Sequence, residues 1–232
     1  RKNMVTLKAL LIGDVKNYGS QNATDKLNLP WSSAILKVAQ NGEIFANELG
    51  FEGDSVADKK HHGGPEKAVF ANSFANYAEW EKFLGFKNMA YGAMGENLCV
   101  DGLDESCVYV GDIHKVGSLV LQVSQPRKPC FKLSKRWGNE NMATHIFETG
   151  LTGWYYRVLT PGSCKAGDVI EVVESDPVHM SILEINRLFY APSENLNLLE
   201  KFNALTTLTN GWHDDMKRRI EGIYSTEFMR TL

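Results

Sequence analysis

The sequence is poor in features that would mark a specialised class of protein. Its four cysteines lack the short spacings of a zinc knuckle or a disulfide scaffold, so we expect reduced thiols in a cytoplasmic protein. Lys and Arg number 25 against 28 Asp and Glu, which leaves a net charge of -3 and no basic excess for a nucleic-acid or membrane-surface partner. No apolar run approaches the ~20 residues that a membrane-spanning helix needs.

What the chain has instead is a series of short apolar segments separated by glycine-rich turns. Residues 5–12, 119–124 and 168–174 are rich in strand-forming residues and are bounded by turn signals. Many short strands with few helices predict a mainly β fold, either a closed barrel or a sandwich, over residues 4–175.

Two local signals refine this prediction. Asn41-Gly42 separates residues 34–40 from residues 43–47, and this dipeptide predicts a β-hairpin because both central residues of a type I′ turn need positive φ. One helix with a serine N-cap is predicted over residues 74–84.

The character of the sequence changes after residue 177. Ser181 and Glu184 form a capping-box pattern ahead of an apolar helical stripe, and two further helices begin near Ser193 and Asn210. Residues 178–232 are therefore predicted to form a small three-helix C-terminal module after the β domain.

The most informative stretch surrounds Cys130. It follows a predicted strand directly, and Pro126 and Pro129 stiffen the backbone ahead of the thiol. Five basic residues and no acidic one lie between residues 125 and 136. Nearby positive charge stabilises a thiolate, the form that binds metal or attacks an electrophile. Cys130 is therefore the predicted metal ligand and catalytic residue; the alternative is a structural cysteine beside a solvated basic loop.

A second basic stretch contains Lys60, His61, His62 and Gly63. Its cationic side chains and permissive backbone suit an anionic ligand, although it also reads as an exposed turn. Adjacent residues of an extended segment point to opposite sides, so at most one of the two histidines is expected to face a shared site.

Two further polar candidates stand in less specific surroundings. Asn97 lies in a glycine-rich loop that allows close backbone approach to a ligand, and this loop also reads as a β-turn. Arg157 follows a run of aromatic residues that are more typical of a core, and its guanidinium could be aimed at an anion.

Together these stretches resemble the MOSC domain family, named for the C-terminal domain of molybdenum cofactor sulfurases. The likeness is to its stand-alone bacterial branch, which is associated with resistance to hydroxylaminopurine. The specific element is the Gln-Pro-x-x-Pro-Cys stretch of residues 125–130, and residues 60–65, 95–98 and 153–159 accompany it in the family order. The tail resembles the small helical module that follows MOSC in the same branch.

The resemblance implies a MOSC-type β-barrel with a few peripheral helices, a molybdopterin-type cofactor containing molybdenum, and reduction of small N-hydroxylated compounds such as hydroxylaminopurine. It also implies that Cys130 is the protein thiolate on molybdenum, a soft ligand for this metal. The cofactor's phosphate suits charge-assisted donors. The residues predicted to bind this cofactor are Lys60, His61, His62, Gly63, Asn97, Arg127, Lys128 and Arg157.

Reduction needs electrons, and the chain has neither a four-cysteine cluster motif nor a dinucleotide-binding glycine fingerprint, so we expect a separate electron-donor protein. Two alternatives stay open. The chain could carry molybdenum cofactor or sulfur on Cys130 without turnover of its own, or it could be a thiol hydrolase or transferase with His61 or His62 as base. The sequence also leaves open whether the barrel pairs into a homodimer.

Overall fold

The computed structural model describes residues 4–56 and 63–230, within which the chain forms thirteen β-strands and six α-helices. The strands are β1 (Thr6–Ile12), β2 (Lys16–Tyr18), β3 (Trp31–Ser33), β4 (Val38–Ala39), β5 (Ile44–Asn47), β6 (Gly50–Phe51), β7 (Val69–Ser73), β8 (Leu98–Asp101), β9 (Ile113–Val116), β10 (Leu119–Pro126), β11 (Trp154–Thr160), β12 (Gly162–Cys164) and β13 (Ile170–Glu174). The helices are α1 (Tyr77–Leu84), α2 (Phe131–Trp137), α3 (Met142–Thr149), α4 (Ile182–Tyr190), α5 (Leu199–Asn203) and α6 (Asn210–Ile220).

Eight of these strands form one mixed sheet in the order β13-β9-β10-β11-β7-β8-β1-β4. All of its neighbouring strands are antiparallel except β7 and β8, which run parallel. The mainly β fold predicted from the sequence is confirmed.

The predicted barrel needs a correction, because the sheet is not closed. Strands β13 and β4 end its ladder, and a single bridge between Thr6 and Val169 brings β1 beside the start of β13. The Leu7 amide also donates to the Asp168 carbonyl at 2.9 Å. We call this contact between the start of β1 and the start of β13 the seam. One edge of β1 pairs with β8, and β4 occupies the other edge at Leu11 and Ile12, which leaves only the start of β1 for the residues that precede β13.

The hairpin predicted around Asn41-Gly42 is wrong. Strand β4 pairs with β1, and β5 pairs with β12 and β6, so the two segments do not pair with each other. Gly42 also lacks the positive φ that a type I′ turn requires. Strand β4 instead pairs with a strand distant in sequence, and β5 lies between the distant strand β12 and its close neighbour β6.

The helix predicted after Ser73 is confirmed as a short 3-10 turn that continues into α1. The Ser73 hydroxyl accepts from the Ala75 amide at 3.2 Å. Helices α2 and α3 were not predicted, since each has at most eight residues and buries at most three of them. The longest described helix, α6, has 11 residues, and no helix in the described ranges is long and apolar enough to span a bilayer.

The tail carries the predicted capping box: Ser181 accepts from the Glu184 amide, and the Glu184 carboxylate accepts from the Ser181 amide. Its apolar side chains, including Phe189 and Trp212, belong to the same buried cluster as the sheet residues. The Ile182 amide donates to the Val108 carbonyl at 2.9 Å, which ties the start of α4 to the β domain. The division into residues 4–175 and 178–232 stays a prediction.

Candidate functional site

Cys130 lies at the point where β10 gives way to α2. Its backbone is extended, with φ -130° and ψ 166°, and it occupies the N-cap position of α2. The Leu133 amide donates to the Cys130 carbonyl at 3.0 Å and fixes this turn. The side chain is half-buried, and none of the four cysteines of the described chain forms a disulfide.

Two adjoining clefts meet at Cys130. The basic cleft, of about 100 Å³, is lined by Lys37, Asp54 and Arg127 together with Phe70 and Asn97. The aromatic cleft, of about 760 Å³, is lined by Phe131, Trp212, Tyr224 and Phe228, with Lys128 and Asp215. Four residues line both clefts: Lys67, Cys130, Lys132 and Tyr155. The thiol therefore stands where the two spaces join.

Arg127 is the most unusual group in the basic cleft. Its side chain is buried, and its Nε and Nη1 atoms have no hydrogen-bond partner among the described residues. The guanidinium lies 5.2 Å from the centroid of the Phe70 ring. Because a buried cation with unused donors is costly, this arrangement is typical of a site for an anion.

Backbone contacts hold Arg127 at the end of β10. Its amide donates to the Gly153 carbonyl at 3.2 Å, and the Gly153 amide donates to the buried Glu105 carboxylate at 2.8 Å. A side chain at Gly153 would approach the Ala71 carbonyl oxygen to 2.4 Å, and its φ is +71°. Glycine is thus required where β7, β11 and the Arg127 segment meet.

Asn97 organises the wall of the basic cleft. Its Oδ1 accepts from the Phe70 amide at 3.0 Å, and its Nδ2 donates to the Asp54 carboxylate at 2.8 Å and to the Leu11 carbonyl at 3.1 Å. Asp54 also pairs with the Lys37 ammonium. Asn97 lines the cleft, but its amide is occupied by contacts that position Phe70 and Asp54.

Lys128 points toward the tail and lines the aromatic cleft. Its ammonium pairs with the Asp215 carboxylate and lies 4.3 Å from the centroid of the Trp212 ring. Burial lowers the pKa of Lys128, and the Asp215 carboxylate opposes that change. In this structure the side chain joins the Cys130 segment to α6.

The remaining predicted residues divide into three groups. Gly63 lines the aromatic cleft. Arg157 lines neither cleft; its guanidinium donates to the Glu66 carboxylate, to Gln122 at 2.8 Å and to the Thr207 carbonyl at 2.8 Å. Lys60, His61 and His62 lie outside the described residues.

Sequence reasoning missed several residues that line the clefts. Tyr155 belongs to the stretch 153–159 that carries the resemblance, but its aromatic run was interpreted as core. The tail residues Trp212, Tyr224 and Phe228 resembled ordinary core aromatics, and no local motif marks them. Burial raises the pKa of Tyr155 to about 12, so its hydroxyl remains protonated at neutral pH. Lys132 could have been found, because it belongs to the basic run around Cys130.

The described residues contain no group of three or more His, Cys, Asp or Glu side chains arranged to hold a metal ion. A metal at Cys130 would therefore take most of its ligands from a bound cofactor. None of the described histidines lines either cleft.

Comparison of the sequence with known proteins shows the family to which the chain belongs. A model described as the MOSC domain matches residues 58–171. The protein YiiM of Escherichia coli is 36% identical over 193 residues, which cover 82% of this chain and 86% of that protein. The chain belongs to the MOSC domain family. The family match includes Cys130 and all of β10.

Two other similar proteins are a bacterial protein of known structure and a fungal relative. The crystal structure of YiiM from Geobacillus stearothermophilus matches with a TM-score of 0.75 and 26% identity, covering 93% of this chain and 99% of that one. A protein of Gibberella moniliformis named "Reductase" is 34% identical over 198 residues. That match covers 84% of this chain and 35% of the fungal protein.

Proposed function

We propose that this protein is a molybdenum-cofactor-dependent reductase of N-hydroxylated bases such as hydroxylaminopurine, supplied with electrons by a separate donor protein. Family membership and the relative named "Reductase" support a role in redox chemistry with this cofactor. The observation that carries the proposal is the buried Arg127 guanidinium, whose unused donors lie in a cleft that ends at Cys130.

The residues of the basic cleft fit an anionic, metal-bearing group. Arg127 offers Nε and Nη1 donors to a phosphate in the planar arrangement that suits its oxygens. The Cys130 thiolate, at the junction of the clefts, would be the protein's ligand to the metal. When bound, a molybdenum–pterin group supplies a two-electron redox centre.

The reaction adds two electrons and two protons to an R–NH–OH group, breaks its N–O bond and releases R–NH2 and water. The protein's own part is to bind and orient the substrate beside Cys130 and to limit the access of water. Tyr155, buried and protonated at the junction, can donate a hydrogen bond to the substrate there.

The test compares Cys130→Ser with Cys107→Ser, a matched change at an exposed cysteine that lines neither cleft. Protein from a cofactor-producing host is assayed with hydroxylaminopurine and a chemical electron donor, and molybdenum and pterin are measured on each variant. We expect Cys130→Ser to lose turnover and molybdenum, because a serine hydroxyl is a harder and far less acidic ligand. Cys107→Ser should keep both.

Full turnover and full molybdenum content in Cys130→Ser would exclude the metal-ligand role. Loss of turnover with molybdenum retained would instead point to Cys130 as a sulfur carrier or nucleophile. A wild type that binds molybdenum without any turnover would favour the cofactor-carrier alternative. The hydrolase alternative needs His61 or His62, which lie outside the described residues.

A further inference from the structure

The aromatic cleft has two walls from distant parts of the chain. One wall belongs to the sheet and the Cys130 segment and includes Gln125, Phe131 and Tyr155. The other belongs to the tail, and its lining residues are Thr209, Gly211, Trp212, Asp215, Tyr224 and Phe228. The volume of about 760 Å³ falls within the range of roughly 300–1,000 Å³ that is typical of small-molecule sites.

The charge of the tail wall favours a different kind of ligand from the anion expected in the basic cleft. Among the described residues that line this wall, none is cationic, and its one charged side chain is Asp215. The nearby Lys128 ammonium is already paired with Asp215. The cations that line this cleft, Lys67, Lys128 and Lys132, lie on the opposite wall. An anion would therefore be held there or at Arg127, whereas a neutral planar ring can lie against the aromatic side chains of the tail wall at no electrostatic cost.

Resting on the proposed function, we infer that the tail supplies the specificity wall of the substrate site and that Phe228 stacks with the ring of the N-hydroxylated base. Tyr224 supports this wall, with its ring centroid 6.1 Å from that of Phe228 in an edge-on arrangement. The N–OH group of a base held there lies toward Cys130, since the same cleft ends at that thiol.

The local structure holds the Phe228 ring in the cleft. Phe228 lies in a short 3-10 turn, Glu227–Met229, and the neighbouring Met229 is buried. The Phe228 side chain itself is only half-buried. Removing its ring therefore alters the cleft wall while Met229 continues to anchor the segment.

The experiment measures equilibrium binding of hydroxylaminopurine by titration calorimetry to the cofactor-loaded protein, without an electron donor. The variants are Phe228→Ala and Phe228→Leu, the second of which keeps an apolar side chain without a ring. Tyr190→Ala is the matched control, because Tyr190 is a partly exposed tail aromatic that packs on Phe147 and lines neither cleft. Molybdenum and pterin contents are determined for each protein.

We expect both Phe228 variants to raise the Kd for the base roughly 5- to 50-fold, the usual effect of losing one stacking partner. Their molybdenum and pterin contents and the Kd of Tyr190→Ala should match wild type. Unchanged affinity in both Phe228 variants overturns the inference, as does no binding by wild type. Loss of pterin instead of base affinity also overturns it, since the wall would then hold the cofactor. Binding that depends on Phe228 without any turnover contradicts the proposed reductase and leaves this inference standing.

Discussion

Lys128 and Asp215 join the Cys130 segment to helix α6 across 87 residues of sequence. The ammonium also lies within 4.3 Å of the Trp212 ring centroid and 5.3 Å of the Phe189 ring centroid. The Lys128 and Asp215 side chains are 23% and 27% exposed, so their pair is only partly screened by solvent. This contact makes the position of the tail and the position of the thiol mutually dependent.

Asp215→Asn should lower the free energy of unfolding by about 1–3 kcal/mol, because it leaves a largely buried ammonium without its counter-ion. Lys128→Met keeps most of the apolar stem and should cost less, since Asp215 retains Arg218 at 3.7 Å. The double variant should be more stable than the sum of the two single changes predicts. Denaturant unfolding of all four proteins checks this, and strict additivity would argue that the pair is not coupled.

Arg127→Met should weaken binding of inorganic phosphate, measured as the rise in Tm that phosphate induces. It should not destabilise the ligand-free protein by more than about 1 kcal/mol, because the guanidinium leaves donors unused. The loss of one or two charged hydrogen bonds corresponds to a roughly 10- to 100-fold weaker affinity. The control is Arg136→Met, whose guanidinium donates to the Ala93 carbonyl at 2.8 Å. That change should destabilise the protein and keep the phosphate-induced rise in Tm. A normal phosphate response in Arg127→Met would count against the anion site.

Native protein should protect two of its four thiols from a thiol reagent. Cys99 and Cys164 are fully buried, and burial raises the pKa of each to about 12. Cys107 is exposed and should react promptly. Unfolding in denaturant without reductant should make all four thiols reactive, which absorbance of the released chromophore measures. Two or more unreactive thiols after unfolding would indicate a disulfide and contradict the expectation of reduced thiols in a cytoplasmic protein.

Glu105 should make stability depend on pH. Burial raises its pKa from 4.5 to about 7, while hydrogen bonds from Gly153 and Asn76 oppose that rise. The folded protein therefore holds a proton that the unfolded chain has released, and wild type loses stability relative to Glu105→Gln as pH rises from about 4.5 to about 7. The change is roughly 3 kcal/mol from the pKa difference.

The comparison with Glu105→Gln is needed because His114 acts in the opposite direction. Burial lowers the pKa of His114 to about 4, so its contribution to stability is lost as pH falls from 6.5 toward 4. Urea unfolding of both proteins at several pH values isolates the Glu105 contribution. A constant difference between wild type and Glu105→Gln across this range would mean that Glu105 is ionised in the folded protein.

The sequence correctly predicted those strands and helices that are determined by residues close to one another in the chain. Strand β1 follows from its apolar run, and α4 follows from the capping box of Ser181 and Glu184, whose atoms are all within four residues. The hairpin at Asn41-Gly42 failed because β4 pairs with β1, while β5 pairs with β12 and β6. A two-residue turn signal does not determine which strands the flanking segments pair with.

The candidate site shows the same limit. The sequence singled out Cys130 and Arg127 because proline and basic residues surround them in one short stretch. It could not indicate that Phe228 lies across the cleft from that stretch, since the two are about a hundred residues apart and no pattern connects them. Nor could it show that the Arg157 guanidinium is occupied by Glu66 and Gln122.

The strand order of the large sheet also has a consequence for how the chain folds. Strand β1 is made first, yet it pairs with β8 and with the segment at Asp168 that precedes β13. A ribosome must therefore synthesise about 160 residues beyond Thr6 before the seam between Thr6 and Val169 can form. Until then, one backbone edge of β1 lacks part of its hydrogen-bonding partners. Loop closure over this length is slow. We expect folding in the slow range of β-rich domains, with the nascent N-terminal strand as the segment most dependent on chaperones.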